Sequence, residues 1–310
     1  MQNSPRAPAD EAPRAPQPLS IAMPSSSSRS SSSTVRVPVP RTLLLSWNAS
    51  MALFHAALAF TTLYVGNRDL SVPVYKTVLD FQLRDSSDES AGWDLIPTYQ
   101  SAGELPLTWL VALFFILSSV FHFLNATLLR GYYLSELEQC RTPTRWIEYF
   151  FSAPVMVLLI AYSLGQRNRD VLIASFGLIA ITMPFGYWIE VEGRPASLTE
   201  WSASRARRLY PWVLGHVPQI FAWAIILLQF YDGADPVDRT PWFVHLILWA
   251  ELAFFFSFGV GSLVSQLAAP AQFYRGELAF QVLSLVSKGV LGLVLITNVL
   301  MLSAFEEIYD

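Results

Sequence analysis

Lys288 stands inside QVLSLVSKGVLGLVLITNVLML, residues 281–302, a run that is apolar almost throughout. A charge at the centre of a bilayer costs about 2.5–3.5 kcal/mol on insertion scales, so an ionisable side chain there is a functional candidate. Of the twenty basic residues only Lys76 and Lys288 are lysines, and the arginines lie at or outside the edges of the apolar segments. Lys288 is thus the one primary amine within those segments. In a low-dielectric medium a free amine tends to be uncharged and nucleophilic toward a carbonyl, the chemistry of Schiff-base formation. A protonated Schiff base needs a buried anion. Glu148, in TPTRWIEYFF, is the best-placed carboxylate, and Ser284 lies one helical turn before Lys288 with a hydroxyl on the same face.

Other ionisable groups share this depth. Counted from the helix ends, Lys288 lies about 15 Å, His122 about 12 Å and His55 about 18 Å below one membrane surface. Glu148 and Glu190 fall on the same side at shallower depth. These five groups are expected to face one cavity, because an amine and a carboxylate that both avoid lipid do so by pairing. Glu251 lies about 14 Å from the opposite end of its segment. It would extend a proton relay across the membrane or, as a protonated acid, bond to a neighbouring helix.

The elements that must position these groups are membrane helices. The chain of 310 residues is 53% hydrophobic and 14% charged, with a mean hydropathy of +0.39, too apolar for an ordinary soluble domain. The net charge of -4 gives no support for nucleic-acid binding, and the single Cys140 can form neither an internal disulfide nor a metal knuckle. Segments long enough to cross about 30 Å of hydrocarbon fall near 43–66, 105–130, 144–165, 170–190, 209–231, 241–264 and 278–303. Backbone groups in lipid must be satisfied within the segment, so these runs are read as helices, giving an all-α bundle of seven transmembrane spans. Residues 1–42 form a Pro/Ser/Arg-rich tail with no apolar periodicity, expected to be flexible. Residues 43–303 form the membrane domain, and 304–310 an acidic C-terminus.

Thirteen Lys and Arg residues fall in the tail and the loops on its side, against six on the other side, so the N-terminus is expected in the cytoplasm. The loop 67–104 holds seven acidic residues from Asp69 to Glu104 and would cap the exoplasmic face. This orientation disfavours G-protein-coupled receptors, whose N-terminus is outside. The sequons at Asn48 and Asn125 lie within spans and are expected to carry no glycan.

The residues in 43–303 resemble the heliorhodopsins, seven-helix retinal proteins of microbial-rhodopsin-like fold with a cytoplasmic N-terminus. RWIEYFFSA at 145–153 resembles the third-helix motif of that family, and SLVSK at 284–288 its seventh-helix motif. YPWVLGHVPQIFAW at 210–223 looks like the fifth helix. The resemblance implies all-trans retinal held as a protonated Schiff base on Lys288, with Glu148 as counterion and Ser284 where pump rhodopsins have an aspartate. It places His55, His122, Asn48, Tyr149, Glu190 and Arg145 around a cavity in the cytoplasmic half. Leu58 and Ala126 depart from the pattern, standing where polar cavity residues are expected. Met183 and Gly186 in the fourth span, Trp223 in the fifth, and Phe254 and Phe255 in the sixth are the candidate walls of an apolar chromophore pocket.

The function so implied is light sensing, with no enzymatic activity, in a multi-pass protein of the plasma membrane that forms a homodimer and signals to an unidentified partner. The close rival is light-gated or light-driven proton movement through Glu148, the histidines and Glu251. A seven-helix zinc hydrolase fits poorly. Its four available histidines, 55, 122, 216 and 245, include no i, i+4 pair.

Overall fold

A computed structural model describes residues 36–84, 92–192, 205–233 and 240–301. The tail through residue 35 and the acidic residues 304–310 lie outside the described residues. Helix α1 spans Arg41–Val65, α2 Leu107–Ala126, α3 Arg130–Leu137, α4 Pro143–Ser163, α5 Arg169–Glu192, α6 Arg205–Gly233, α7 Trp242–Leu267 and α8 Phe273–Leu295. A 3₁₀ turn, Pro270–Gln272, leads into α8, and a π turn, Ile296–Leu300, ends it. Among the described residues, seven helices are long and apolar enough to cross a membrane, and the short α3 is the exception.

Helix ends follow the local chemistry. Pro143 opens α4 at a position where the missing N–H has no intrahelical partner to lose. Pro154, Pro184, Pro211 and Pro218 stand inside α4, α5 and α6, as membrane helices tolerate more readily than soluble ones. The inward face of α1 is the stripe Leu44, Asn48, Met51, Ala52, His55, Ala59 and Thr62. Its spacing of three and four residues keeps Asn48 and His55 on the buried side.

The cap adds two strands to the bundle of helices. Ser71–Leu83 and Trp93–Pro106 form an antiparallel hairpin, β1 and β2, with Ser71 opposite Pro106 and Leu83 opposite Trp93. The physical cause is visible in SVPVYKTVLDFQL, whose β-branched and aromatic residues alternate with polar ones. The register slips between Val74 and Tyr75, where Gly103 takes a φ of +113° in β2, a bulge that glycine adopts without steric cost. Val72 and Val74 are buried at the base of the hairpin and join Leu70, Leu107 and Val111 in the main apolar core. The Tyr75 amide bonds to the Arg167 carbonyl at 2.9 Å, which ties the hairpin to the turn between α4 and α5.

The core is polarised along the bundle. Toward the hairpin end it consists of Phe114, Phe115, Leu159, Ile160, Ile247, Leu248, Leu291 and Leu295. Toward the end at which α1 begins, buried polar residues concentrate: Asn48, His122, Arg145, Glu190, Glu277 and Gln281. The boundary between these two halves is where the candidate site lies.

Candidate functional site

Lys288 lies on the face of α8 that also carries Glu277, Gln281 and Ser284, at spacings of four, three and four residues. Its side chain is 3% exposed. The Nζ donates to Glu148 Oε1 at 2.6 Å and to Ser118 Oγ at 2.5 Å. Ser152 Oγ, one turn beyond Glu148 on α4, donates to the same Oε1 at 2.8 Å, and Ser118 Oγ stands 2.8 Å from it. A buried ion pair holds together only when further hydrogen bonds satisfy its atoms, and the two serines supply them. The hydroxyl beside the amine is therefore Ser118, on α2, rather than Ser284, which lies against the Tyr149 hydroxyl.

The histidines form a second group. His55 and His122 stack with ring centroids 5.5 Å apart. His55 Nδ1 lies 2.9 Å from the Met51 carbonyl, and His122 Nδ1 lies 2.8 Å from Asn48 Oδ1, whose amide nitrogen donates to the Leu44 carbonyl. Both rings accordingly carry their proton on Nδ1 and present Nε2 as an acceptor. The Nε2 of His55 is buried without a hydrogen-bond partner among the described residues.

Arg145, Glu190 and Glu277 make a third group, also fully buried. The Arg145 guanidinium bridges Glu190 and Glu277 and lies 4.0 Å from the centroid of the Phe280 ring. Arg145 and Glu148, one turn apart on α4, thus pair with different groups. Thr142 donates from both its amide and its hydroxyl to Glu190, while Gln281 Nε2 and the Tyr133 hydroxyl donate to Glu277. Burial, and then the Glu277 carboxylate, push the Tyr133 hydroxyl well above the usual tyrosine range, so it remains a donor. Tyr133 also accepts from Asn48 Nδ2 at 3.1 Å, which joins this group to the histidines.

Sequence reasoning missed Ser118, Ser152, Glu277, Gln281 and Tyr133. Of the five groups expected in one cavity, Lys288 and Glu148 come together, as do His55 and His122, while Glu190 belongs to the arginine cluster. Glu251 is 0% exposed and accepts one hydrogen bond, from Ser287 Oγ at 2.8 Å; its other oxygen has no partner among the described residues.

Beside Lys288 opens an apolar cavity between α4, α5, α6, α7 and α8. Met183, Gly186, Tyr149, Ser284 and Phe255 line it. Trp223 and Phe254 do not. Trp223 is instead buried edge-on against Phe255, with centroids 5.4 Å apart. Trp146 and Phe258, which sequence reasoning left out, complete the walls.

The family model for heliorhodopsins matches residues 44–300. The chain belongs to the heliorhodopsin family. Among solved structures this heliorhodopsin is similar to cyanorhodopsin from the cyanobacterium Tolypothrix sp., at 10% identity and a TM-score of 0.54, over 87% of this chain and 96% of that one. It is also similar to thermophilic rhodopsin from Rubrobacter xylanophilus, at 14% identity and a TM-score of 0.51, over 83% of this chain and 95% of that one. At these identities the likeness is one of fold, a microbial-rhodopsin-like bundle of seven helices. No curated protein matches the chain. The family also implies a retinal chromophore and a cytoplasmic N-terminus.

The residues of this heliorhodopsin fit such a group. The cavity reaches an amine, and its walls are apolar and aromatic, the lining typical of small-molecule sites. Gly186 keeps one wall flat, since a Cβ there would meet the Trp146 ring at 2.1 Å. Gly186→Ala should therefore displace Trp146 into the cavity and reduce retinal uptake severalfold, read as pigment formed per folded protein; uptake equal to that of the parent chain would show that the Trp146 wall yields.

Proposed function

We propose that this protein is a light sensor in which retinal, in its all-trans form, is joined to Lys288 as a Schiff base and Glu148 is the counterion. The observation that carries this reading is the buried pair itself, Lys288 Nζ and Glu148 Oε1 at 2.6 Å beside the apolar cavity. When bound, retinal supplies absorption of visible light and a change of shape on isomerisation.

The protein's own residues hold and receive the proton. Glu148, with Ser118 and Ser152 donating around it, stabilises a positive charge at Lys288 Nζ. Any motion of α8 that lengthens the Nζ to Oε1 contact removes that stabilisation. His55 and His122 lie toward the α1-start end of the bundle with Nε2 as acceptor, and their near-neutral intrinsic pKa suits them to take a proton transiently. Replacing both histidines with alanine should slow or abolish the photocycle step in which the proton leaves Nζ, followed by flash photolysis; a photocycle identical to the parent's would remove them from the path.

Signalling is favoured over transport by the polarity of the core. Between Glu251 and the hairpin end the buried described residues of α7 are Phe243, Val244, Ile247 and Leu248, and none of them can pass a proton. Glu251 itself, with one donor and one unpartnered oxygen, is set as an uncharged acid rather than as a member of a relay. Light-induced current under voltage clamp that vanishes in Glu251→Gln would instead decide for transport. In the sensor reading the protein works as a homodimer in the plasma membrane, with an amine proton and helix packing as its two switched quantities.

A further inference from the structure

The end of the cavity remote from Lys288 is not apolar. His216 on α6 and Ser262 on α7 both line it. Ser287 bonds Glu251 next to Lys288, and Gly259 and Ser262 lie eight and eleven residues beyond Glu251, about 12 and 16 Å along α7. Other polar groups at this end are already engaged by backbone carbonyls. Trp212 Nε1 donates to Gly259 at 2.8 Å, Gln219 Nε2 to Phe255 at 3.0 Å, and Thr182 Oγ1 to Leu178 at 3.0 Å.

Two atoms remain. His216 Nδ1 lies 2.7 Å from the Trp212 carbonyl, which fixes the proton on Nδ1 and leaves Nε2 as an acceptor with no partner among the described residues. Gly259 gives that ring its room: a Cβ there would lie 2.3 Å from Nε2. The Ser262 hydroxyl likewise has no hydrogen-bond partner among the described residues, although the residue is buried. A ligand that dries such an atom without pairing it loses affinity. Here an acceptor and a hydroxyl face the same volume.

We propose that this end of the cavity recognises a hydroxyl on the ring of the chromophore, His216 Nε2 accepting its hydrogen bond and Ser262 Oγ donating one, so that the protein selects ring-hydroxylated retinal over unsubstituted retinal. The inference rests on the reading of Lys288 as the retinal site. His216 is on this account a specificity-determining residue that touches the ligand away from the reacting atoms.

The test is competition for the full-length apoprotein in membranes, given equal amounts of all-trans retinal and ring-hydroxylated all-trans retinal, with the bound chromophore extracted and quantified by chromatography. Two ordinary hydrogen bonds predict enrichment of the hydroxylated form by about tenfold. His216→Phe should abolish most of that enrichment while still forming pigment with unsubstituted retinal, and Ser262→Ala, a smaller change, should reduce it about threefold. Equal uptake by the parent chain, or enrichment unchanged in both variants, would leave the two atoms to water and overturn the proposal. Pigment with neither compound would overturn the Lys288 reading and this one with it.

Discussion

Glu148→Gln should change the colour of the retinal-loaded protein and weaken its fold at once. The amide keeps the shape of the side chain but removes the charge that faces Lys288 Nζ at 2.6 Å. Without a carboxylate at one end, positive charge on the linkage nitrogen spreads more easily along a conjugated chain, so absorption moves to longer wavelength while the proton stays. If the nitrogen gives up its proton, absorption moves to the near ultraviolet. In the unloaded protein the same change leaves a buried ammonium with neutral partners, the Ser118 hydroxyl and the new amide oxygen, and no anion, and removing one member of a buried pair costs about 3–5 kcal/mol. An unchanged spectrum across pH, with unchanged thermal stability, would take the counterion role away from Glu148.

Arg145→Gln should destabilise the bundle by a similar amount, about 3–5 kcal/mol, or on the order of 10 °C in the midpoint of thermal unfolding. Two carboxylates, Glu190 and Glu277, share this one guanidinium, and all three side chains are buried. Lysine at position 145 should rescue only part of the loss, because an ammonium is a point charge and cannot span two carboxylates as the planar fork does. Combining Arg145→Gln with Glu190→Gln and Glu277→Gln should recover much of the stability, since no uncompensated anion then remains. If the single variant melts with the parent protein, the cluster is not a structural tie between α4, α5 and α8.

The sequence made some of this architecture legible. A charge inside an apolar run is costly enough to stand out, so Lys288 and the seven spans could be read directly, and the RWIEY motif brought Glu148 beside it. Depth counted from helix ends does not locate the histidines. His55 is fourteen residues into α1 and His122 four residues from the end of α2, yet the two rings touch. Helix ends are not level in the bundle, and here α2 passes into the short α3 instead of ending at the membrane surface. Glu277 was missed because it precedes the apolar run, although Glu277, Gln281, Ser284 and Lys288 follow one another on a single helical face. That spacing was the available signal. Ser118 and Ser152 gave none beyond lying four residues from His122 and Glu148, for a serine in a membrane helix more often bonds to its own backbone.

The hairpin was hidden by a different cause. Seven acidic residues dominate the segment 67–104, and the burial alternation in β1 that reports a half-buried strand is confined to its first four residues. Trp223 and Phe254 show the limit of composition as a guide to a pocket. Aromatic residues are 14% of the chain, and only the packing of α6 on α7 distinguishes Phe255, which lines the cavity, from Trp223 behind it.

The most direct test of the account is the visible absorption spectrum of membranes containing the full-length protein after addition of all-trans retinal, recorded beside Lys288→Ala. A pigment band in the parent protein that is absent from the variant is the predicted result. A band of equal strength in both, or no band in a folded parent protein, would contradict the assignment of Lys288 as the residue that holds the chromophore.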